Sequence, residues 1–333
     1  MGPALCLVSA ACFGALAIFG KFAYDAGVSP SALLLVRFTL AAALLGAVLL
    51  LRPDLRRAAP GGRRSAGPAD QAPTRRLPAH RVLATAIGLG AIGYAAQASL
   101  FFSALRLMDA SLLSLILYTY PVLVTVAAVL LGRDRLTARR AAALVAASAG
   151  TLLVLAGAGG ASFHPLGALL GFGSAAVYTV YILVADTIVH RLPPVVLSAL
   201  VMTGAAGALA ARATFTGGVD LTFRPAGWFW LACIAVVSTV AAMLTFFAGL
   251  QRTGPSTAAI LSTFEPVVTT ALAALTLGES LTPLQLAGAA LVLSSAAVLQ
   301  TASRPKPASG TAEHAARAPS RTQPADVPVQ TGS

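Results

Sequence analysis

From Ala141 to Ala185 the chain carries no acidic residue, no lysine and no arginine, and its only basic group there is His164. A stretch of that length without charge cannot cover a water-facing surface. It suits a bilayer, where every backbone polar group must be satisfied internally and only helices or closed barrels qualify. The loop Gly157-Ala-Gly-Gly-Ala-Ser-Phe-His-Pro165 divides the stretch into two blocks. Each block approaches the roughly 20 apolar residues that cross a hydrocarbon core as a helix. Barrel strands alternate polar and apolar residues over about ten positions, and solid blocks such as Ala41 to Leu51 do not. The unit is a helical hairpin in a membrane.

The rest of the chain repeats this pattern. Ten apolar segments are predicted as transmembrane helices: 3–20, 31–51, 82–105, 110–131, 141–157, 166–186, 194–212, 227–249, 255–277 and 283–301. Over 333 residues only 10% are charged and 57% are hydrophobic, against about 25% charged in a soluble domain. Soluble, disordered, collagen-like and disulfide-stapled classes are excluded.

The basic residues set the orientation, since cytoplasmic loops carry an excess of Lys and Arg. With the N-terminus inside, loops 52–81, 132–140, 187–193 and 250–254 and the tail hold eighteen of them. The outer loops hold four: Lys21, Arg106, Arg212 and Arg224. Both termini are therefore expected in the cytoplasm. The net charge of +12 reads as this signal, with contact to anionic lipid as a secondary effect and no role toward nucleic acid. The Pro-, Ala-, Ser- and Thr-rich tail 303–333 is expected to be disordered.

An offset of 145 residues superimposes Leu105 on Leu250, Pro121-Val122 on Pro266-Val267, Thr125 on Thr270, and Asp134-Arg-Leu-Thr137 on Glu279-Ser-Leu-Thr282. Ser9-Ala-Ala11 matches Ser174-Ala-Ala176 at an offset of 165. The chain thus divides into a repeat over 1–157, a second over 158–302, and the tail. Five helices per repeat force the second copy to enter the membrane from the other side. The charges agree: loop 132–140 has four arginines and its counterpart around Gly278-Glu279 has none. Inverted repeats of this kind recur in secondary transporters, whose substrate sites lie near mid-membrane between the halves.

Two segments carry a family likeness. Pro30-Ser-Ala-Leu-Leu-Leu-Val-Arg-Phe38 resembles the second-helix signature, and Ala258 to Thr282, with Glu265-Pro266 and Leu277-Gly-Glu-Ser-Leu281, the fourth-helix signature, of the EamA-like transporters in the drug/metabolite transporter superfamily. The resemblance covers about residues 3–301. It implies ten helices in two inverted repeats with cytoplasmic ends; the location expected from the inverted repeat is a bacterial inner membrane. The resemblance also implies carriage of small metabolites, often amino acids, with efflux favoured over uptake. The first half departs from the pattern, with Tyr120-Pro121 and Gly132-Arg-Asp-Arg-Leu where acidic-Pro and Gly-Glu pairs are common.

Ionisable side chains are costly in a bilayer and face protein or water. Two stand well inside segments: Glu265, a candidate substrate-amine or proton site, and Arg37, which could hold an anion or only bond loop carbonyls. Tyr94 and Gln97 in the third segment, Tyr118 in the fourth, and Tyr178 and Tyr181 in the sixth lie on polar-aromatic stripes suited to lining a cavity, and Tyr120 is expected to help shape the same pocket. Pro121 and Pro266 are expected to kink their helices. Gly88-Leu-Gly-Ala-Ile-Gly93 is a literal GxGxxG and Gly171-Phe-Gly-Ser-Ala-Ala176 a variant. A nucleotide fingerprint needs a preceding strand, so both read as helix-packing glycines. No histidine, cysteine or carboxylate spacing supports a metal site, a cofactor or an enzyme.

The expectation is a secondary carrier of a small amphipathic solute working by alternating access, with lipid around it and a homo-oligomer left open. The competing expectation is a scaffold or receptor that transports nothing.

Overall fold

The computed structural model describes residues 2–56, 78–132, 138–157, 164–185, 187–188, 191–253, 261–262 and 264–302, and every regular element among them is helical. The chain opens with α1 (Gly2–Asp25) and α2 (Pro30–Leu51). The turn between them uses Gly27 at φ +92°. Ser29 then caps α2, its hydroxyl accepting from the Ala32 N–H, with Pro30 in the first turn where its missing donor costs nothing.

α3 (Ala79–Gly88), a π-helical turn (Leu89–Tyr94) and α4 (Ala95–Leu105) form one continuous rod. α5 (Ala110–Leu117) and α6 (Tyr120–Leu130) follow, then α7 (Ala138–Gly157), α8 (Pro165–Ala185) and α9 (Pro194–Phe215). A second rod joins α10 (Pro225–Ala235), a π-helical turn (Val236–Ala241) and α11 (Ala242–Thr253). α12 (Glu265–Leu277) and α13 (Pro283–Ala302) complete the described chain.

Six of these helical runs are long and apolar enough to cross a membrane: Gly2–Asp25, Pro30–Leu51, His80–Leu105, Pro165–Ala185, Pro194–Phe215 and Pro225–Phe246. Shorter apolar helices accompany them. Large apolar side chains such as Leu130, Leu152, Leu169 and Leu275 point outward, as lipid requires.

The expected kink at Pro121 is a complete interruption. α5 ends at Leu117, Tyr118 and Thr119 form a turn, and α6 starts afresh with Pro121 in its first turn. Proline lacks the N–H that would continue the ladder, so it is tolerated best at a new helix start. The Thr119 hydroxyl takes up the Ile116 carbonyl at 2.8 Å. Pro266 likewise sits in the first turn of α12, after a turn at Phe264.

Helix association in lipid lacks a hydrophobic drive and relies on close packing of small residues. α1 buries Ser9, Ala10, Gly14 and Ala17 along one face and packs on α10, α11 and α12. α8 packs on α4, α5 and α6, α2 on α9 and α10, and α3 on α9. A Cβ at Gly90 would collide with the Val201 carbonyl of α9, and one at Gly204 with the Ile87 carbonyl of α3. α7 and α13 pair at the edge, where a Cβ on Gly150 would stand 2.8 Å from the Gly288 carbonyl. At one end of the bundle Lys21 donates to the Met108 carbonyl at 2.8 Å, and Arg224 donates to the Asp25 carbonyl.

The basic stretch at 57–77, Arg133, Arg135, the Asp134-to-Thr137 match, the junction at 158–163 and the tail 303–333 lie outside the described residues.

Candidate functional site

α1, α2, α4, α5, α6, α8 and α12 converge on a cavity of about 120 Å³. Arg37, Tyr94, Gln97, Tyr118, Tyr120, Tyr178 and Glu265 all line it. Of the expected site residues only Tyr181 stands behind the wall, stacked on Tyr178 with ring centroids 5.7 Å apart. Phe13, Leu16 and Ala17 of α1, and Phe102 of α4, also line the cavity. Sequence reasoning missed these four, because apolar residues on a helix face look the same whether they face a cavity, a neighbour or lipid.

Arg37 is 2% exposed. Its Nε donates to Thr239 Oγ1 at 3.0 Å and one terminal nitrogen donates to the Tyr94 hydroxyl at 3.3 Å. Its guanidinium carbon lies 5.1 Å from the Phe38 ring centre and 5.6 Å from that of Phe102, distances at which ring faces attract a cation. Both hydrogen-bond partners belong to π-helical turns, Tyr94 to the first and Thr239 to the second. Such turns insert one extra residue into a helix and are frequent at functional sites. Thr239 was not legible as a site residue: a threonine in an apolar segment gives no sign that an arginine from another helix will reach it.

Glu265 begins α12. The Tyr118 hydroxyl lies 3.0 Å from its Oε2 and donates to the Ser262 carbonyl at 2.7 Å. Thr269, one turn further along α12, donates to the Gly14 carbonyl at 3.0 Å and so ties α12 to α1. Gly14 makes that approach possible, since a Cβ there would stand 2.9 Å from the Glu265 carbonyl.

Five of the six tyrosines connect these two poles. From Arg37 the chain of contacts runs to the Tyr94 hydroxyl, then from Tyr94 to Tyr181 (5.6 Å between centroids), Tyr178 (5.7 Å), Tyr120 (4.8 Å) and Tyr118 (5.6 Å), and so to Glu265. Two of the pairs are edge-to-face, one is stacked and one tilted, at separations that favour aromatic pairs. The wall between the charges is therefore a tyrosine ladder. Gln97 reinforces it: its amide donates to Ser174 Oγ at 3.0 Å, and that hydroxyl donates back to the Gln97 carbonyl at 3.1 Å.

Except for Gly88, which has nothing within 4 Å, the glycines of the two nucleotide-like motifs pack against neighbouring helices. Gly93 faces Tyr181, Gly171 faces Leu113 and Ile116, and Gly173 faces Leu100. Among the described residues no group of three or more His, Cys, Asp or Glu side chains gathers to hold a metal.

The EamA-like transporter family model matches residues 1–156 and 165–301. The chain is similar to the uncharacterized transporter YcbK of Bacillus subtilis, at 28% identity over 298 residues, covering 86% of this chain and 88% of that one. A crystal structure of a protein shares the fold with a TM-score of 0.59 at 20% identity, over 89% of this chain and 95% of that one. With a charged cavity inside an apolar helical bundle and a family match across nearly its whole length, the chain belongs to the EamA-like transporter family and is an integral membrane transporter.

Proposed function

We propose that the protein is a secondary carrier that moves a small amphipathic metabolite through the cavity by alternating access. The observation that carries this reading is that Arg37 and Glu265 open onto one cavity without pairing with each other. Among the described residues neither has an oppositely charged partner, only neutral ones, and such groups are costly in a bilayer. They are explained if a solute supplies the missing partners: an anionic group for Arg37, and an amine or a proton for Glu265. The tyrosine ladder offers an apolar body with polar tips along which such a solute lies. Amino acids and related zwitterions fit that description, and we favour efflux.

The packing supports an inverted repeat. Exchanging the two halves turns the α1 contacts with α10 and α11 into those of α8 with α4, and the α1–α12 contact into α8 with α5 and α6. It turns α2 with α10 into α9 with α3. The third helix of each half carries the π-turn, and the fourth is restarted at a proline. Ten crossings with both termini cytoplasmic, in a bacterial inner membrane, complete the reading, on the strength of the arginine distribution.

Proton coupling has a geometric motive. Tyr118 has one phenolic proton and two oxygen neighbours, the Ser262 carbonyl and Glu265 Oε2. A protonated Glu265 donating to Tyr118 satisfies every group; on releasing its proton, the carboxylate must compete with Ser262 for the phenol.

The test is flux in proteoliposomes under an imposed pH gradient, with candidate solutes chosen by thermal stabilisation of the purified protein. Solute flux that follows the gradient, and that Glu265→Gln uncouples from it, is expected. A folded protein that neither shifts its melting temperature nor moves any solute would favour a scaffold or receptor instead.

A further inference from the structure

Glu265 starts α12 and Glu279 follows its end, after Gly278 turns the chain in the left-handed conformation at φ +68°. The Glu279 carboxylate reaches across to α5. Its Oε1 accepts from the Ala110 N–H at 2.9 Å, and its Oε2 accepts from the Ser111 N–H at 3.0 Å and the Ser111 hydroxyl at 2.8 Å. The first N–H groups of a helix have no partner within the helix and attract negative charge. Asp109 occupies the N-cap position of α5, yet its side chain makes no capping bond. The cap comes instead from a residue 168 positions further along the chain than Ser111.

α5 and α12 are consequently joined at both ends. At one end Glu279 holds Ala110 and Ser111. At the other, Tyr118, the residue that follows the last turn of α5, meets Ser262 and Glu265. The two helices pack along each other between these ties. Ser114 and Leu117 of α5 line the cavity between them. α12 has 13 residues, so about 20 Å of rigid helix separates its two carboxylates at 1.5 Å per residue.

We infer that Glu279 is a positioning residue for transport, a bolt that keeps the outer mouth of the cavity shut by holding the start of α5 against the end of α12. This rests on the carrier reading and on the outward placement of residues 106–109 and 278–282. Opening to the outside breaks the three bonds to Ala110 and Ser111. Because α5 is a single short helix, its displacement also draws Tyr118 from Glu265. The bolt and the site therefore release together, and a solute that takes over Tyr118 or Glu265 weakens the closed state at the far end. Lys21, which donates to the Met108 carbonyl beside the bolt, steadies the same turn.

The test uses Ser114→Cys as a reporter in the full chain with Cys6, Cys12 and Cys233 replaced by alanine. Labelling by a membrane-impermeant maleimide is measured in right-side-out and inside-out vesicles, with melting temperatures alongside. Glu279→Ala is expected to speed labelling from the outer side by about tenfold or more, the effect of losing several charge-assisted bonds on an opening equilibrium. Glu279→Gln keeps the shape but loses the charge, and is expected to give a smaller acceleration. If Glu279→Ala fails to fold, the Glu279→Gln variant carries the decision. Unchanged outer labelling in a folded variant, or acceleration only from the cytoplasmic side, overturns the bolt. Accelerated outer labelling in a protein that moves no solute leaves the bolt standing and removes the carrier reading.

Discussion

The Nε of Arg37 in α2 donates to Thr239 Oγ1 at 3.0 Å, and the Thr239 hydroxyl in turn reaches the Ile234 carbonyl, five residues back, at 2.9 Å. One buried arginine thus reads the state of a π-turn in the second half of the chain. Through Tyr94 it touches the π-turn of the first half as well. Under the proposed carrier function, a solute anion drawing on Arg37 would act on both turns at once.

This arrangement separates a binding role from a purely structural one. Arg37→Lys keeps the charge but loses the planar fork that serves Thr239 and Tyr94 together. Transport by this variant is expected to fall by about tenfold or more, the size of one lost charge-assisted bond. Thr239→Val removes the hydroxyl and is expected to cost about 0.6–2 kcal/mol of stability, the range for hydrogen bonds between helices in membranes. Equal transport losses in the two variants, matching their stability losses, would make Arg37 a structural residue only.

Glu265→Gln keeps the size of the side chain and a partner for Tyr118, but cannot exchange a proton. Flux driven by a pH gradient is expected to disappear while the melting temperature stays within a few degrees of the parent. Tyr118→Phe removes the contacts with Ser262 and Glu265. It is expected to cost about 1–2 kcal/mol and to leave gradient-driven flux measurable. Persistence of pH-driven flux in Glu265→Gln would assign the proton to another group.

The glycines of the third helix should divide cleanly under substitution. A Cβ at Gly90 meets the Val201 carbonyl of α9, whereas Gly88 has nothing within 4 Å. Gly90→Ala is expected to cost about 1–3 kcal/mol, as overpacking does. Gly88→Ala is expected to be neutral or to stabilise by up to about 1 kcal/mol through helix propensity. Thermal melting in detergent checks both, and similar melting temperatures would contradict the close α3–α9 approach.

Asp109 lies in the turn before α5. Burial pushes its carboxyl above the ordinary value of 3.8, the nearby Glu279 carboxylate adds to the rise, and Lys21 opposes it. A carboxyl raised by folding favours the fold below its unfolded value, and that contribution is lost as the pH climbs through the folded value. At neutral pH the ionised Asp109 therefore weakens the fold. Asp109→Asn is expected to melt higher than the parent at pH 7, with the gain fading below about pH 4. No capping bond is sacrificed, because the Asp109 side chain makes none. A lower melting temperature at pH 7 would show that the Asp109 charge is stabilising.

Much of the site could be read without coordinates because intramembrane polarity is rare. Where charge is so costly, Arg37 and Glu265 stand out by type alone, Tyr94, Gln97, Tyr118 and Tyr178 by their spacing on otherwise apolar helices, and Tyr120 as a polar aromatic beside Tyr118. All seven line one cavity. The prolines were legible as disturbances, but the extent of the break was not. Whether Pro121 bends a helix or starts a new one depends on local partners such as the Thr119 hydroxyl on Ile116.

The sequence by itself determined a helical membrane protein, through apolar blocks too long and too uniform for any other backbone to satisfy its hydrogen bonds in lipid. Only the tertiary structure decided which polar groups meet. The ladder from Tyr94 to Tyr118, the Arg37–Thr239 bond across 202 positions and the Glu279 cap on α5 depend on the rotation and depth of each helix beside its neighbours. Those are set by small-residue contacts such as Gly90 on Val201 and Gly14 on Glu265. In apolar sequence such contacts have no local signature, because a glycine that admits a neighbouring backbone is spelled like one that faces lipid. The scarcity of polar groups in the apolar segments therefore points to the residues that line the cavity, and the packing of the glycines decides how they are joined.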